Sequence, residues 1–248
     1  MCRLLGVVSS ASATLPRHLG ADLDAFTGLS KVHCDGWGIA YWDAQDDLVS
    51  AKNPEPALGS ERFQAAVESA RTDAALLHLR KASVNMANTE QNTHPFLAGS
   101  VAFAHNGYLS PRSQLDRLVA EAGGRPSEGD TDSERYFSLV LAELRHSGPV
   151  EALHEAARKI ADSAEVVSLN CLLLTHDALY ASARYDEKVI TAQGADVASY
   201  ELNYRITPGS VTVASSGWAR PAPWLPLANG QILEISRTSL RTSVHVLR

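Results

Sequence analysis

A chain of 248 residues with 45% hydrophobic content can bury a substantial core without disulfides or metals, and a single domain over residues 1–248 is expected. A net charge of −6 with no basic stretch argues against a nucleic-acid partner, and no apolar run is long enough for a membrane span. Cys2, Cys34 and Cys171 are too widely spaced for a disulfide framework or a zinc ligand set; with no signal-peptide pattern, the cytoplasm is the expected compartment.

Residues 2–8 form an apolar run that reads as a buried strand. Residues 16–29 have the spacing of a short helix interrupted at Gly20. Residues 37–42 and 48–52 read as strands, with Gly36 and Gly38 marking close backbone approach at the start of the first. Ser60 is the expected N-cap of a helix to Ala70 with Phe63, Ala66, Val67 and Ala70 on one face. Residues 74–79 form a strand running into Arg80, and the polar stretch 81–95 reads as a loop. A strand at 101–104 ends in His105-Asn106-Gly107.

A helix over 115–122 is closed by Gly123-Gly124. A longer amphipathic helix starts at Asp132, which suits a cap, and Pro149 opens another. Thereafter the period changes, and 166–175, 178–184, 202–207, 210–215 and 230–236 read as strands. Strands, helices and strands again predict a layered α+β domain with two sheets.

The opening is chemically unusual. Cys2 stands directly behind Met1, and once Met1 is removed that one residue carries a thiol and a free α-amine. The amine has an unperturbed pKa of about 7.7–8.0. It is therefore matched to proton transfer near neutral pH, beside a nucleophile it can activate.

Three further islands complete an acyl-transfer kit. The Asn106 side chain and the Gly107 backbone offer two N–H donors to an oxyanion. Arg80 can grip a carboxylate through two parallel hydrogen bonds, and Asp132 can hold an ammonium. Carboxylate plus ammonium describes the α-carbon end of an amino acid. A scissile carbonyl some distance away describes glutamine or a γ-glutamyl compound. Each island alone is ordinary: His-Asn-Gly suits a turn, and Thr-Asp-Ser-Glu resembles a capping box.

Order and context are more specific. The strings run Asp35-Gly36-Trp37-Gly38, His78-Leu79-Arg80, Asn92-Thr93-His94-Pro95-Phe96, Ala104-His105-Asn106-Gly107 and Thr131-Asp132-Ser133-Glu134. In that order the chain resembles the class II glutamine amidotransferases, members of the N-terminal nucleophile hydrolases. The likeness is greatest to small stand-alone members such as those of ergothioneine biosynthesis. It implies a four-layer αββα sandwich, removal of Met1, Cys2 as nucleophile with its own amine as base, and Asn106 with Gly107 as oxyanion hole. It further implies Arg80 as carboxylate clamp and Asp132 as amine clamp, with Ser83, His105 and Thr131 beside them as substrate-binding residues. No metal or organic cofactor is implied.

The chain also departs from that pattern. Lys81-Ala82-Ser83 replaces the Trp-Ala-Thr of many members, which changes the wall expected over the nucleophile and puts Ser83 in place of the threonine hydroxyl. Arg3 stands where many have glycine and reads as a surface charge without a role. Ser215-Ser216-Gly217-Trp218 reads as a structural turn.

The expected reaction is hydrolysis of a γ-glutamyl amide through a thioester on Cys2. Either glutamine is the substrate and a separate synthetase receives the ammonia, or a γ-glutamyl conjugate is cleaved with no acceptor. Readings of other kinds are an acylase, which would leave Arg80 and Asp132 without an amino acid to bind, and a non-catalytic interaction module.

Overall fold

The computed structural model describes residues 2–83, 85–219 and 223–246. Alternation along β1 (Arg3–Thr14) sets the layering: Leu4 and Val8 enter one buried cluster, Leu5 and Val7 another. A strand buried on both faces must lie between two layers. β1 belongs to a seven-stranded sheet with β2 (Trp37–Trp42), β3 (Leu48–Asn53), β4 (Arg71–Leu79), β9 (Leu202–Thr207), β10 (Ser210–Ser215) and β11 (Leu225–Leu227). The order is β11-β9-β10-β1-β4-β2-β3, so β1 is central.

A six-stranded sheet combines β5 (Phe96–Ala98), β6 (Val101–Ser110), β7 (Glu165–Leu174), β8 (Ala178–Ala183), β12 (Gln231–Ser236) and β13 (Thr242–Val246) in the order β13-β12-β8-β7-β6-β5.

Leu4, Val8, Ala40 and Leu76 of the first sheet meet Ala104, Leu172, Leu179 and Leu233 of the second in one inter-sheet core. The outer face of the first sheet carries Leu5, Val7, Ile39 and Leu77. It packs beneath α1 (Leu15–Leu19), α2 (Ala21–Gly28) and α3 (Glu61–Ser69) through Leu15, Phe26, Phe63 and Val67. The outer face of the second carries Phe103, Leu169 and Leu173 under α4 (Arg112–Glu121), α5 (Asp132–Leu144) and α6 (Pro149–Ala161). Each fully buried side chain of this size contributes about 1.5–3 kcal/mol. The result is the α+β, αββα sandwich. A short α7 (Glu187–Ala192) packs Ile190 against Val167 and Tyr200.

The structure differs from the sequence reading in places that matter. His105-Asn106-Gly107 is not a turn: β6 runs through it to Ser110, pairing His105 with Cys171, Asn106 with Asn170 and Gly107 with Leu169. Cross-strand pairing with β7 outweighs the local turn preference of Asn and Gly. β1 continues to Thr14 beyond a register break between Val8 and Ala13. The short β5, β11, β13 and α7 carry too little periodicity to be read from sequence.

Candidate active site

Cys2 precedes β1 and, by strand alternation, shares the inter-sheet face of Leu4. It is 9% exposed. The Lys81 N–H donates to its Sγ at 3.4 Å, and the thiol faces the Lys81 carbonyl at 3.7 Å. Burial pushes the thiol pKa up, with the Lys81 backbone and the Arg80 guanidinium pulling the other way. A thiol held this way is protonated near neutral pH and needs a base to become a nucleophile. The Lys81 side chain is exposed, so only its backbone clasps the sulfur.

Arg80 follows β4 and is 3% exposed. Its Nη1 donates to the Asp35 carbonyl at 3.2 Å and to Asn88 Oδ1 at 2.7 Å, and its Nη2 donates to the Ala87 carbonyl at 3.2 Å. Three of its five N–H groups thus hold the loop, leaving two for a ligand. Asp35 completes the brace, accepting from the Ala82 N–H at 2.8 Å and from Asn88 Nδ2 at 3.3 Å. The Asp-Gly-Trp-Gly string therefore organises the segment that carries Arg80 and Ser83. At Gly38 a Cβ would stand 2.0 Å from the His94 carbonyl, so only glycine admits the His94-Pro95 backbone there.

Asn106 is fully buried, and neither its Nδ2 nor its Oδ1 has a hydrogen-bond partner. Its parity with Ala102 and Ala104 places it on the inter-sheet face, the face of Cys2. His105 points the opposite way, edge-on to Tyr136. Its Nε2 donates to the Ser168 carbonyl at 2.9 Å, so its Nδ1 accepts from the Ser133 hydroxyl at 2.9 Å. Burial lowers its pKa, in keeping with that neutral tautomer. The His105 ring is therefore spent inside the fold and turned away from the face that holds Cys2. Gly107 is required by the same contact, because a Cβ there would meet Ser168 O at 1.8 Å and His105 Nε2 at 2.4 Å.

The N-cap of α5 is Thr131, not Asp132: the Thr131 hydroxyl accepts from the Glu134 N–H at 3.1 Å. Thr131 is 4% exposed. Asp132 is thereby freed for another use, and its Oδ2 accepts from the Leu109 N–H at 2.7 Å. Asp132 and Ser83 line one cleft of about 660 Å³ with Met86, Tyr108, Gln193 and Tyr200.

Four contributors escaped the sequence reading. Arg3 is not a surface charge: it is 9% exposed, its Nη1 donates to the Cys2 carbonyl at 2.9 Å, and its Nε has no acceptor. Asn170, fully buried, donates to the Tyr200 carbonyl at 2.5 Å and accepts from the Arg184 N–H at 2.7 Å. Tyr200 is thereby fixed as a cleft wall. A lone Asn inside the apolar run of β7 was the available signal for Asn170; nothing local distinguished Tyr200. Ser215 is a strand residue whose hydroxyl accepts from the Leu4 N–H at 3.0 Å, holding the start of β1.

Comparison with known proteins places these features in context. The family described as Glutamine amidotransferases class-II matches residues 1–196. The Gamma-glutamyl-hercynylcysteine sulfoxide hydrolase of Mycobacterium tuberculosis is 27% identical over 190 residues, covering 73% of this chain and 76% of that protein. The probable glutamine amidotransferase DUG3 of Saccharomyces cerevisiae is 27% identical over 190 residues, 73% of this chain and 50% of that one. The chain spans about half the length of this yeast relative and of an uncharacterized protein of Methanocaldococcus jannaschii (51% of it). Among solved structures, a glutamine aminotransferase class-II domain protein from Silicibacter pomeroyi superposes with a TM-score of 0.69 at 20% identity over 100% of both chains.

Proposed function

This chain belongs to the class II glutamine amidotransferases, and from that premise we propose that it hydrolyses a γ-glutamyl amide through a thioester on Cys2. The observation that carries the reading is Asn106: a fully buried amide with no partner, on the face shared with the Cys2 thiol. A buried polar group left unsatisfied costs roughly 1–3 kcal/mol. An oxyanion forming beside it would supply the missing acceptor.

In this reading Met1 is removed and the freed α-amine of Cys2 takes the thiol proton. The sulfur attacks the γ-carbonyl, and the oxyanion is held by Asn106 Nδ2 and the Gly107 N–H. The C–N bond breaks, and the amine departs with the proton carried by the Cys2 ammonium. Water then adds to the thioester, the C–S bond breaks, and glutamate leaves as the thiol is restored. Arg80 grips the α-carboxylate and Asp132 the α-ammonium, with Ser83 beside them. Thr131 and His105 act as positioning residues: one caps α5 and so frees Asp132, the other packs β6 against α5. The cytoplasm, a reducing compartment, suits the three free cysteines.

Glutamine, with its ammonia passed to a separate synthetase, is the general family substrate. A second reading, cleavage of a γ-glutamyl conjugate without an acceptor, is supported by the similarity to the Gamma-glutamyl-hercynylcysteine sulfoxide hydrolase of Mycobacterium tuberculosis, of which the chain covers 76%. The test is glutamate release from glutamine and from a γ-glutamyl-amide panel by protein whose mass shows loss of Met1. Release abolished by Cys2→Ala supports hydrolysis, and the preferred amide decides between the two substrates. No release from any of them overturns the proposal.

A further inference from the structure

Asn92 opens the Asn-Thr-His-Pro-Phe string, and the reaction described above leaves it without a task. It is 1% exposed, and both ends of its amide are occupied by backbone. Its Nδ2 donates to the Ala87 carbonyl at 3.2 Å, and its Oδ1 accepts from the Asp130 N–H at 2.8 Å. The same Ala87 carbonyl accepts from Arg80 Nη2 at 3.2 Å. Asp130 lies just before Asp132, on the loop whose Glu128 and Gly129 N–H groups donate to the Glu134 carboxylate at 2.9 and 2.8 Å. Among the described residues no other hydrogen bond joins residues 85–95 to residues 126–131.

One buried amide therefore closes a chain of contacts that runs from the Arg80 guanidinium, through Ala87 and Asn92, to the turn that presents Asp132. The joint is tight: a Cβ at Gly129 would stand 2.6 Å from Asn92 Oδ1 and 3.0 Å from the Gln91 carbonyl. Asparagine suits it because its amide sets a donor and an acceptor on one short planar group. The α-carboxylate and α-ammonium of a glutamyl group sit on one carbon, so two clamps serve it only at one spacing. Cys2 precedes β1 and Asn106 lies in β6, so the reacting centre is carried by other elements.

We propose that Asn92 is a positioning residue that sets the spacing between Arg80 and Asp132, and with it the recognition of the L-glutamyl end. The inference rests on the hydrolase reading above and adds a residue to that site. Loosening the joint weakens the grip on substrate and transition state alike, so it acts on KM rather than kcat. It also narrows the advantage of the L form over the D form, in which carboxylate and ammonium are exchanged in space.

The test is steady-state glutamate release from the L and D forms of glutamine and of γ-glutamylglycine by full-length protein processed at Met1. Wild-type protein should favour the L form by about 100-fold or more. Asn92→Ala should raise KM for the L form about 10–100-fold with kcat kept within about 3-fold, and should lower the L/D ratio of kcat/KM by about 10-fold. Gly129→Ala presses on the same joint from the other loop and should move KM and the L/D ratio in the same direction. A fall in kcat alone, or a KM and L/D ratio unmoved in either folded variant, overturns the inference. Wild-type protein that cleaves both forms equally overturns it without appeal to any variant. Each of these results, alongside glutamate release by wild-type protein, leaves the hydrolase reading standing; no release from these compounds or from any amide of the panel above overturns both.

Discussion

Asn106 on β6 stands opposite Asn170 on β7, and the two fully buried amides are used in contrary ways. Asn170 is occupied at both ends, by the Tyr200 carbonyl and the Arg184 N–H. Asn106 is occupied at neither. Residues of the same type, in register on adjacent strands, thus divide their work: one fixes the wall of the cleft, and the other is held without partners on the inter-sheet face.

Substitution should expose that division. Asn106→Ala should lower kcat for glutamate release by about 10²–10³-fold, the usual loss of one oxyanion donor. It should not destabilise the fold, since no existing hydrogen bond is broken and the cost of the unsatisfied buried amide is relieved. Asn170→Ala should instead destabilise by roughly 2–4 kcal/mol, because the buried Tyr200 carbonyl and the half-buried Arg184 N–H lose their partner. Urea denaturation of both variants beside the kinetics checks the pair; equal stability losses would contradict it.

Gly107 tolerates no side chain. Gly107→Ala would drive a methyl group into the Ser168 carbonyl and the His105 ring, and backbone cannot yield cheaply there. A loss of about 3 kcal/mol, the upper part of the range for overpacking, is expected from chemical denaturation. A variant as stable as the parent would show that β6 and β7 are not clamped as described.

Three buried histidines make stability fall in acid. Burial draws His78 down to about 3, and lowers His94 and His105 below their ordinary value near 6.5. The unfolded chain therefore binds more protons between pH 6.5 and about 3, and stability is lost as pH falls through that window. His78 contributes a slope that approaches about 1.4 kcal/mol per pH unit between about pH 5.5 and 4, and His94 and His105 add to it in the same direction. Unfolding free energies at pH 7, 6 and 5 should show the decline, and His78→Gln should make it shallower. A flat profile would mean that these rings are protonated in the fold.

The three cysteines should alkylate in a fixed order. Cys34 is exposed and should react first with iodoacetamide at pH 7. Cys2 is slowed by the burial that raises its thiol pKa, and should accelerate as pH rises. Cys171, buried and pushed up to about 12, should stay unmodified until the chain unfolds. Peptide mass spectrometry over a time course reads all three at once, and early labelling of Cys171 would refute the packing described for β7.

Local signals carried far in this chain. The apolar run behind Cys2, the strand leading into Arg80, the Ser60 cap and the amphipathic helices were all legible, because period and capping are written in neighbouring residues. The order of the motif strings was enough to identify the family.

Other features depended on what lies across a sheet or a cleft. His105-Asn106-Gly107 carries turn chemistry locally, yet β7 draws it into a strand and sends His105 and Asn106 to opposite faces. The same logic makes Thr131 the cap and leaves Asp132 to the Leu109 amide, buries Arg3 against the Cys2 carbonyl, and brings Asn170 to Tyr200 from 30 residues away. The sequence by itself determined the longer elements, their amphipathic faces and the family. Only the tertiary structure decided which polar groups are satisfied and which are left open, because hydrogen-bond satisfaction and desolvation depend on partners distant in the chain.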